Sequence, residues 1–196
     1  MNRVSEEQLK EAINGFQFEG NLISIKPYGS GHINDTYLLT YEIGKMGSIR
    51  VILQRGNQEI FTNPVELMQN IEGVTTYLKK IIKKNGGDPE RETLNLIPAK
   101  DEKYYFVDSK GEYWRSYKYI TDATSYDLVE NPKDFYESAV AFGHFQKLLS
   151  NYPAETLNET IKGFHDTESR LIAFKEAVEK DSFGRAAKVQ KDSVCP

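Results

Sequence analysis

The 196-residue sequence predicts an α+β fold in two parts, an antiparallel sheet with one long helix followed by helices alone. Three observations predict it. Short alternating apolar segments separated by glycine-bearing turns begin at Asn21 and run to Gln54. A long amphipathic stretch then opens at Asn63-Pro64. After Ile120 the strand patterns stop and only helical periodicity remains. The expected divisions are 1–120 for the sheet-bearing lobe, 121–130 for a polar linker and 131–196 for a partial helical region.

The elements follow in order. Ser5 and Gln8 have capping-box spacing ahead of Leu9, Ala12 and Ile13, and Gly15 stops that helix. Residues 21–28 read as an alternating strand and Gly29-Ser30-Gly31 as a break. Residues 32–43 read as a second strand with Ile33, Tyr37, Leu39 and Tyr41 on one face. Gly44-Lys45-Met46-Gly47 is a turn and residues 48–54 a third strand, so the three make an antiparallel meander. Pro64 suits the first turn of the long helix, in which Val65, Met68, Ile71, Val74 or Thr75, and Leu78 recur at helical spacing, with Ile81 and Ile82 extending the stripe. Asn85-Gly86-Gly87-Asp88-Pro89 stops it. Residues 93–99, 104–107 and 113–120 supply two or three more strands, for a sheet of five to six. Asn131-Pro132 opens a helix with Phe135, Ala139, Phe142 and Leu149 close to one face, and Thr167 caps another carrying Leu171, Phe174 and Val178. The tail from Lys188 has no apolar period. The helical part is thin for a core of its own.

Charge and composition exclude several functions. Lys and Arg number 25 against 29 Asp and Glu, a net charge of −4, which argues against a dedicated nucleic-acid binder. The one cysteine, Cys195, cannot form an internal disulfide. The histidines His32, His144 and His165 show no metal-ligand spacing. The N-terminus lacks the apolar run of a signal peptide, and no stretch is long enough to span a bilayer, so no membrane partner and a cytoplasmic location are expected.

Three features can carry chemistry. Gly29-Ser30-Gly31-His32-Ile33-Asn34 links two strands, either as a plain hairpin turn or as a loop whose backbone N–H groups approach phosphates. Val51-Ile52-Leu53-Gln54-Arg55 ends in a cation that reaches the same phosphates or is solvated at a sheet edge. Glu66 and Glu72 on the long helix either pair with that cation or are solvated. The order is more specific than any part. Strand, glycine loop, strand, cation-bearing strand, long helix and further strands is the succession of a protein-kinase-like N-terminal lobe. No Gly-Lys-Ser/Thr follows the loop and no helix begins there, which excludes a P-loop and a Rossmann unit.

The string Tyr28-Gly29-Ser30-Gly31-His32-Ile33-Asn34-Asp35-Thr36-Tyr37 resembles the loop of the aminoglycoside phosphotransferase superfamily, and within it the N-acetylhexosamine 1-kinase group, often labelled mucin desulfatase. Residues 51–55, Asn63-Pro64 with its helix, Tyr113-Trp114-Arg115-Ser116-Tyr117-Lys118-Tyr119-Ile120, residues 142–149 and Phe164-His165-Asp166-Thr167 extend the resemblance to about Lys188. It implies a kinase-like N-lobe followed by the first helices of an incomplete helical C-lobe, and ATP-dependent transfer to a sugar hydroxyl, with the nucleotide and a small sugar as partners. Gly29, Ser30, Gly31, His32 and Asn34 would cover the phosphates. Register with the family's lysine falls on Gln54, so either Gln54 or its neighbour Arg55 faces the nucleotide, with Glu66 or Glu72 as the helix acid. Tyr117, Lys118, Tyr119 and Ile120 would form the hinge beside adenine, and His32 is either a sugar contact or a surface histidine. The catalytic aspartate loop and the Mg²⁺ ligands of relatives lie in later motifs that are not found here. The expectation is therefore an ATP-binding portion that is inactive alone, from a truncated or frameshifted gene or a fragment. The alternative is a complete, non-catalytic nucleotide-binding or interaction module.

Overall fold

The computed structural model describes residues 4–129 and 131–186, apart from the Met46 side chain. Cys195 and the tail from Lys188 lie outside the described residues, as do Met1, Asn2, Arg3 and the last linker residue, Glu130.

Helix α1 (Glu6–Gly15) starts as its capping box requires. The Gln8 N–H donates to Ser5 Oγ at 3.2 Å, and the Ser5 N–H donates to Gln8 Oε1 at 3.4 Å. Gly15 does close the helix, but not through a left-handed cap. A Cβ at Gly15 would lie 2.5 Å from the Phe106 ring, so the glycine is there for close approach.

The sheet has five antiparallel strands, β1 (Asn21–Pro27), β2 (Asp35–Glu42), β3 (Ser48–Arg55), β4 (Phe106–Val107) and β5 (Tyr113–Lys118), in the order β1-β2-β3-β5-β4. The meander expected from alternation is present. β2 begins three residues later than expected, because Asn34 turns its side-chain oxygen to the Asn57 N–H at 3.0 Å and residues 32–34 bend around that tie. Residues 93–99 are extended but form no regular strand. Lys118 donates its N–H to Asn95, and Ile97 donates to Ser116. Pairing stops there because Pro98 has no N–H and the Asn95 side-chain amide is committed to the carbonyls of Pro89, Glu90 and Thr93.

Asn63 caps the long helix α2 (Pro64–Lys84) by accepting the Glu66 N–H. It ends where Gly86 takes a φ of +81° and Gly87 donates back to Ile82. The short helix α3 (Pro89–Glu92) follows, capped by Asp88. Ala12 and Phe16 meet Leu39, Tyr41, Val51, Leu53, Ala99 and Trp114 in one buried cluster under α1. Asp108 ties its edge, accepting N–H groups from Trp114 at 2.9 Å and Gln8 at 3.2 Å.

The molecule divides into two compact units, one up to Thr160 and one from Ile161 onward. The first also holds helix α4 (Pro132–Leu148), which contains no buried residue; of the apolar face read from the sequence, Phe135 and Phe142 are 69% and 68% exposed, and Leu149 is half-buried. The second unit holds helix α5 (Thr167–Lys180), whose cap is Asp166 rather than Thr167. Asp166 accepts the Ser169 N–H at 3.0 Å and its hydroxyl at 2.7 Å, and these bonds hold its carboxyl below the usual carboxylate range. Among the described residues no helix is long and apolar enough to cross a membrane.

Two outcomes are expected. Gly15→Ala lowers stability by about 1–3 kcal/mol through collision with Phe106. Gly143→Ala, mid-α4 with open space around it, raises stability by up to about 1 kcal/mol; paired urea melts read both signs. Burial raises the Tyr41 hydroxyl pKa to about 12, and the hydroxyl has no partner among the described residues. The fold thus holds the neutral phenol, and an unfolded tyrosine ionises near 10. That stabilisation is whole below about pH 10 and is lost as pH climbs to about 12. Tyr41→Phe should flatten the alkaline decline of the urea midpoint.

Candidate functional site

Alternation along β3 separates two chemistries. Val51, Leu53 and Arg55 point to the face that carries the α1 cluster, and Ile52 and Gln54 point to the other. Register extends this across the sheet, with Thr36 opposite Gln54 on β2, and Arg115 and Tyr117 opposite Gln54 and Ile52 on β5. The face opposite α1 therefore presents Thr36, Ile52, Gln54, Arg115 and Tyr117.

A cavity of about 310 Å³ opens against that face. Its walls are Gly29 and Gly31 from the glycine loop, Thr36 and Ile52 from the sheet, and residues 117–120 at the end of β5, just ahead of the linker. Loop and linker are drawn together at two points. The Ser30 hydroxyl donates to Asp127 Oδ1 at 2.8 Å. The Tyr28 and Tyr119 hydroxyls sit 3.2 Å apart with their rings edge to face, and the Arg50 guanidinium lies 4.4 Å over the Tyr119 ring. The hydrogen bond with Tyr119 raises the Tyr28 pKa. Gly29 has a φ of +83°, in the left-handed region that favours glycine, and a Cβ there or at Gly31 would meet open space.

The structure places the residues expected from sequence as follows. Gly29, Gly31, Tyr117, Lys118, Tyr119 and Ile120 share the cavity wall, and Ser30 is held above it by Asp127. His32 is exposed on the loop. Asn34 directs its oxygen to the Asn57 amide. Arg55 is 1% exposed and lies on the α1 face, donating to Asp35 Oδ2 at 2.6 and 2.9 Å with Glu112 at 3.7 Å. Gln54 therefore faces the cavity side of the sheet. Among the described residues Glu66 and Glu72 enter no ion pair, and Glu66 uses its backbone N–H on the Asn63 cap. At the end of β5, the Lys118 and Tyr119 N–H groups are taken by Asn95 and Arg50, whereas among the described residues no hydrogen bond holds the Ile120 amide.

Sequence reasoning missed Arg115 as a site residue. Its Nε and Nη2 both donate to Gln54 Oε1, at 2.9 and 2.6 Å, and Gln54 Nε2 donates onward to Thr36 Oγ1 at 2.8 Å. Desolvation lowers the Arg115 pKa, and nearby Tyr117 opposes the shift. Burial in turn raises the Tyr117 pKa. No carboxylate pairs with Arg115 among the described residues. The signal for it, its register opposite Gln54, exists only once β3 and β5 are paired.

No protein-family model matches the sequence. Among the described residues no cluster of three or more His, Cys, Asp or Glu side chains is placed to hold a metal ion.

Because Arg55 is sealed into the α1 face, Asp35→Ala should leave part of its charge uncompensated. A loss of about 2–3 kcal/mol in urea unfolding is expected, with Glu112 retaining the rest of the pairing. A loss below about 0.5 kcal/mol would mean the pair is solvated in solution.

Proposed function

We propose that this chain is the nucleotide-binding part of a small-molecule kinase, with a kinase-like N-lobe and a sugar as phosphoryl acceptor. An N-acetylhexosamine is the acceptor implied by the resemblance to the aminoglycoside phosphotransferase superfamily. The observation that supports this most is the cavity of about 310 Å³ walled by three parts of the chain: the glycine loop running into β2, strand β3, and residues 117–120 just ahead of the linker. Its volume lies within the range of small-molecule sites. The strand order β1-β2-β3-β5-β4, with α2 inserted in the chain between β3 and β4, fits such a lobe.

In this reading adenine enters against Ile52 and the linker. The Ile120 N–H, without a partner among the described residues, is its backbone donor, because the amides at Lys118 and Tyr119 are already committed. The triphosphate runs beneath Gly29 and Gly31, where the absence of Cβ atoms lets backbone approach oxygen. Access requires the Ser30–Asp127 and Tyr28–Tyr119 contacts to yield, and both involve exposed groups. His32, exposed on the glycine loop, is available to an acceptor hydroxyl. The described residues offer no carboxylate set for Mg²⁺, which would arrive on the nucleotide's own phosphates. No described residue is assigned to phosphoryl transfer itself. The reading places the protein in the cytoplasm, where ATP is at hand.

Amide hydrogen exchange followed by mass spectrometry tests this reading. ATP should slow exchange in residues 29–34 and at 117–120 together, and leave residues 6–15 of α1 unchanged. Unchanged exchange in the loop and linker at saturating ATP would sink the nucleotide reading.

A further inference from the structure

We infer that Thr36, driven from behind by Arg115 through Gln54, donates the hydrogen bond that receives the terminal phosphates of a nucleoside triphosphate lying under the glycine loop. The inference rests on the nucleotide reading and assigns the charge that Gln54 itself lacks.

The direction of the chain is fixed by chemistry. A guanidinium has donors and no acceptor, so the Gln54 oxygen must face Arg115 and its NH₂ must face Thr36. Thr36 Oγ1 is thereby an acceptor from Gln54, and its own hydrogen points elsewhere. No acceptor among the described residues takes that hydrogen, and Thr36 lines the cavity. Every bond therefore donates the same way: guanidinium to amide, amide to hydroxyl, hydroxyl into the cavity. Bonds aligned in this sense polarise one another, and a cation at the head strengthens the last donor.

The charge at the head needs an answer. Arg115 is half-buried, and no carboxylate neutralises it among the described residues. Arg55, one residue along the paired strand, has two carboxylates close by. The sheet thus compensates the guanidinium on its α1 face and leaves uncompensated the one on its cavity face. A half-desolvated cation with no counter-charge is unfavourable alone and becomes favourable when an anion arrives. The ligand class that fits is an oligophosphate, whose charge is spread over several acceptor oxygens. The Arg115 Nη1 donors have no acceptor among the described residues, so they add to the attraction without entering the chain.

The test uses isothermal titration calorimetry of the 196-residue chain with ATP, adenosine and inorganic tripolyphosphate. Thr36→Val keeps the shape and removes the last donor. It should weaken ATP and tripolyphosphate about tenfold and leave adenosine unchanged. Gln54→Glu, also isosteric, gives Arg115 a carboxylate. It should weaken both anions about tenfold or more while the melting temperature holds or rises, which separates the role in binding from one in folding. Anion affinities in both variants equal to the natural chain's would overturn the inference and leave the nucleotide reading standing. Thr36-dependent binding of tripolyphosphate without binding of ATP would uphold the donor chain and remove the nucleotide reading. No binding of either anion by the natural chain would overturn both.

Discussion

Two neighbouring residues on a pleated strand cannot point the same way, and much of this molecule follows from applying that constraint to Gln54 and Arg55. Once the α1 cluster claims Val51 and Leu53, Arg55 must follow them into the same face, where Asp35 and Glu112 compensate it. Gln54 is then forced to the opposite face. A neutral amide there lets the next strand place an arginine directly across from it. Had the register of β3 slipped by one residue, the buried pair and the cavity wall would have exchanged chemistry.

The cavity depends on the same sheet for its floor and on two irregular segments for its walls. The Asn34–Asn57 tie delays the start of β2, which frees residues 29–34 to arch as a loop. The bridge from Tyr119 to the Arg50 carbonyl extends the β3–β5 pairing one step past the strands and fixes where the linker leaves the sheet. Both ties are long-range and local in effect. They set the loop and the end of β5 around a cavity that Thr36 and Ile52 also line.

Much of the scaffold was legible because its signals are local. Ser5 and Gln8 are three residues apart, and alternation marks β2 and β3 within a single segment. What was not legible depended on partners distant in sequence. Gly15 reads as a cap, but its reason is the Phe106 ring. Residues 93–99 read as a strand until the Asn95 side chain is seen holding the α3 turn. Thr167 reads as the cap of its helix, and the Ser169 bonds show that Asp166 is the cap instead. Of the cavity's walls, the glycine loop and residues 117–120 had been singled out from sequence, and the choice between Gln54 and Arg55 was left open. Arg115 carried no local sign of a role, since its position opposite Gln54 is a property of strand pairing.

An arginine placed behind a glutamine differs physically from a lysine at the glutamine's own position. A lysine in a half-desolvated site loses part of its charge as its pKa falls, whereas a guanidinium stays charged under the same burial. Its two N–H groups on one Gln54 oxygen fix the amide plane, and the amide fixes Thr36. The result is a hydroxyl held in place by Gln54, with the formal charge behind that amide on Arg115. Such an arrangement gives up the direct Coulombic contact of a lysine. On the proposed reading it needs no flexible side chain to be ordered on binding, which lowers the entropy lost when an anion arrives.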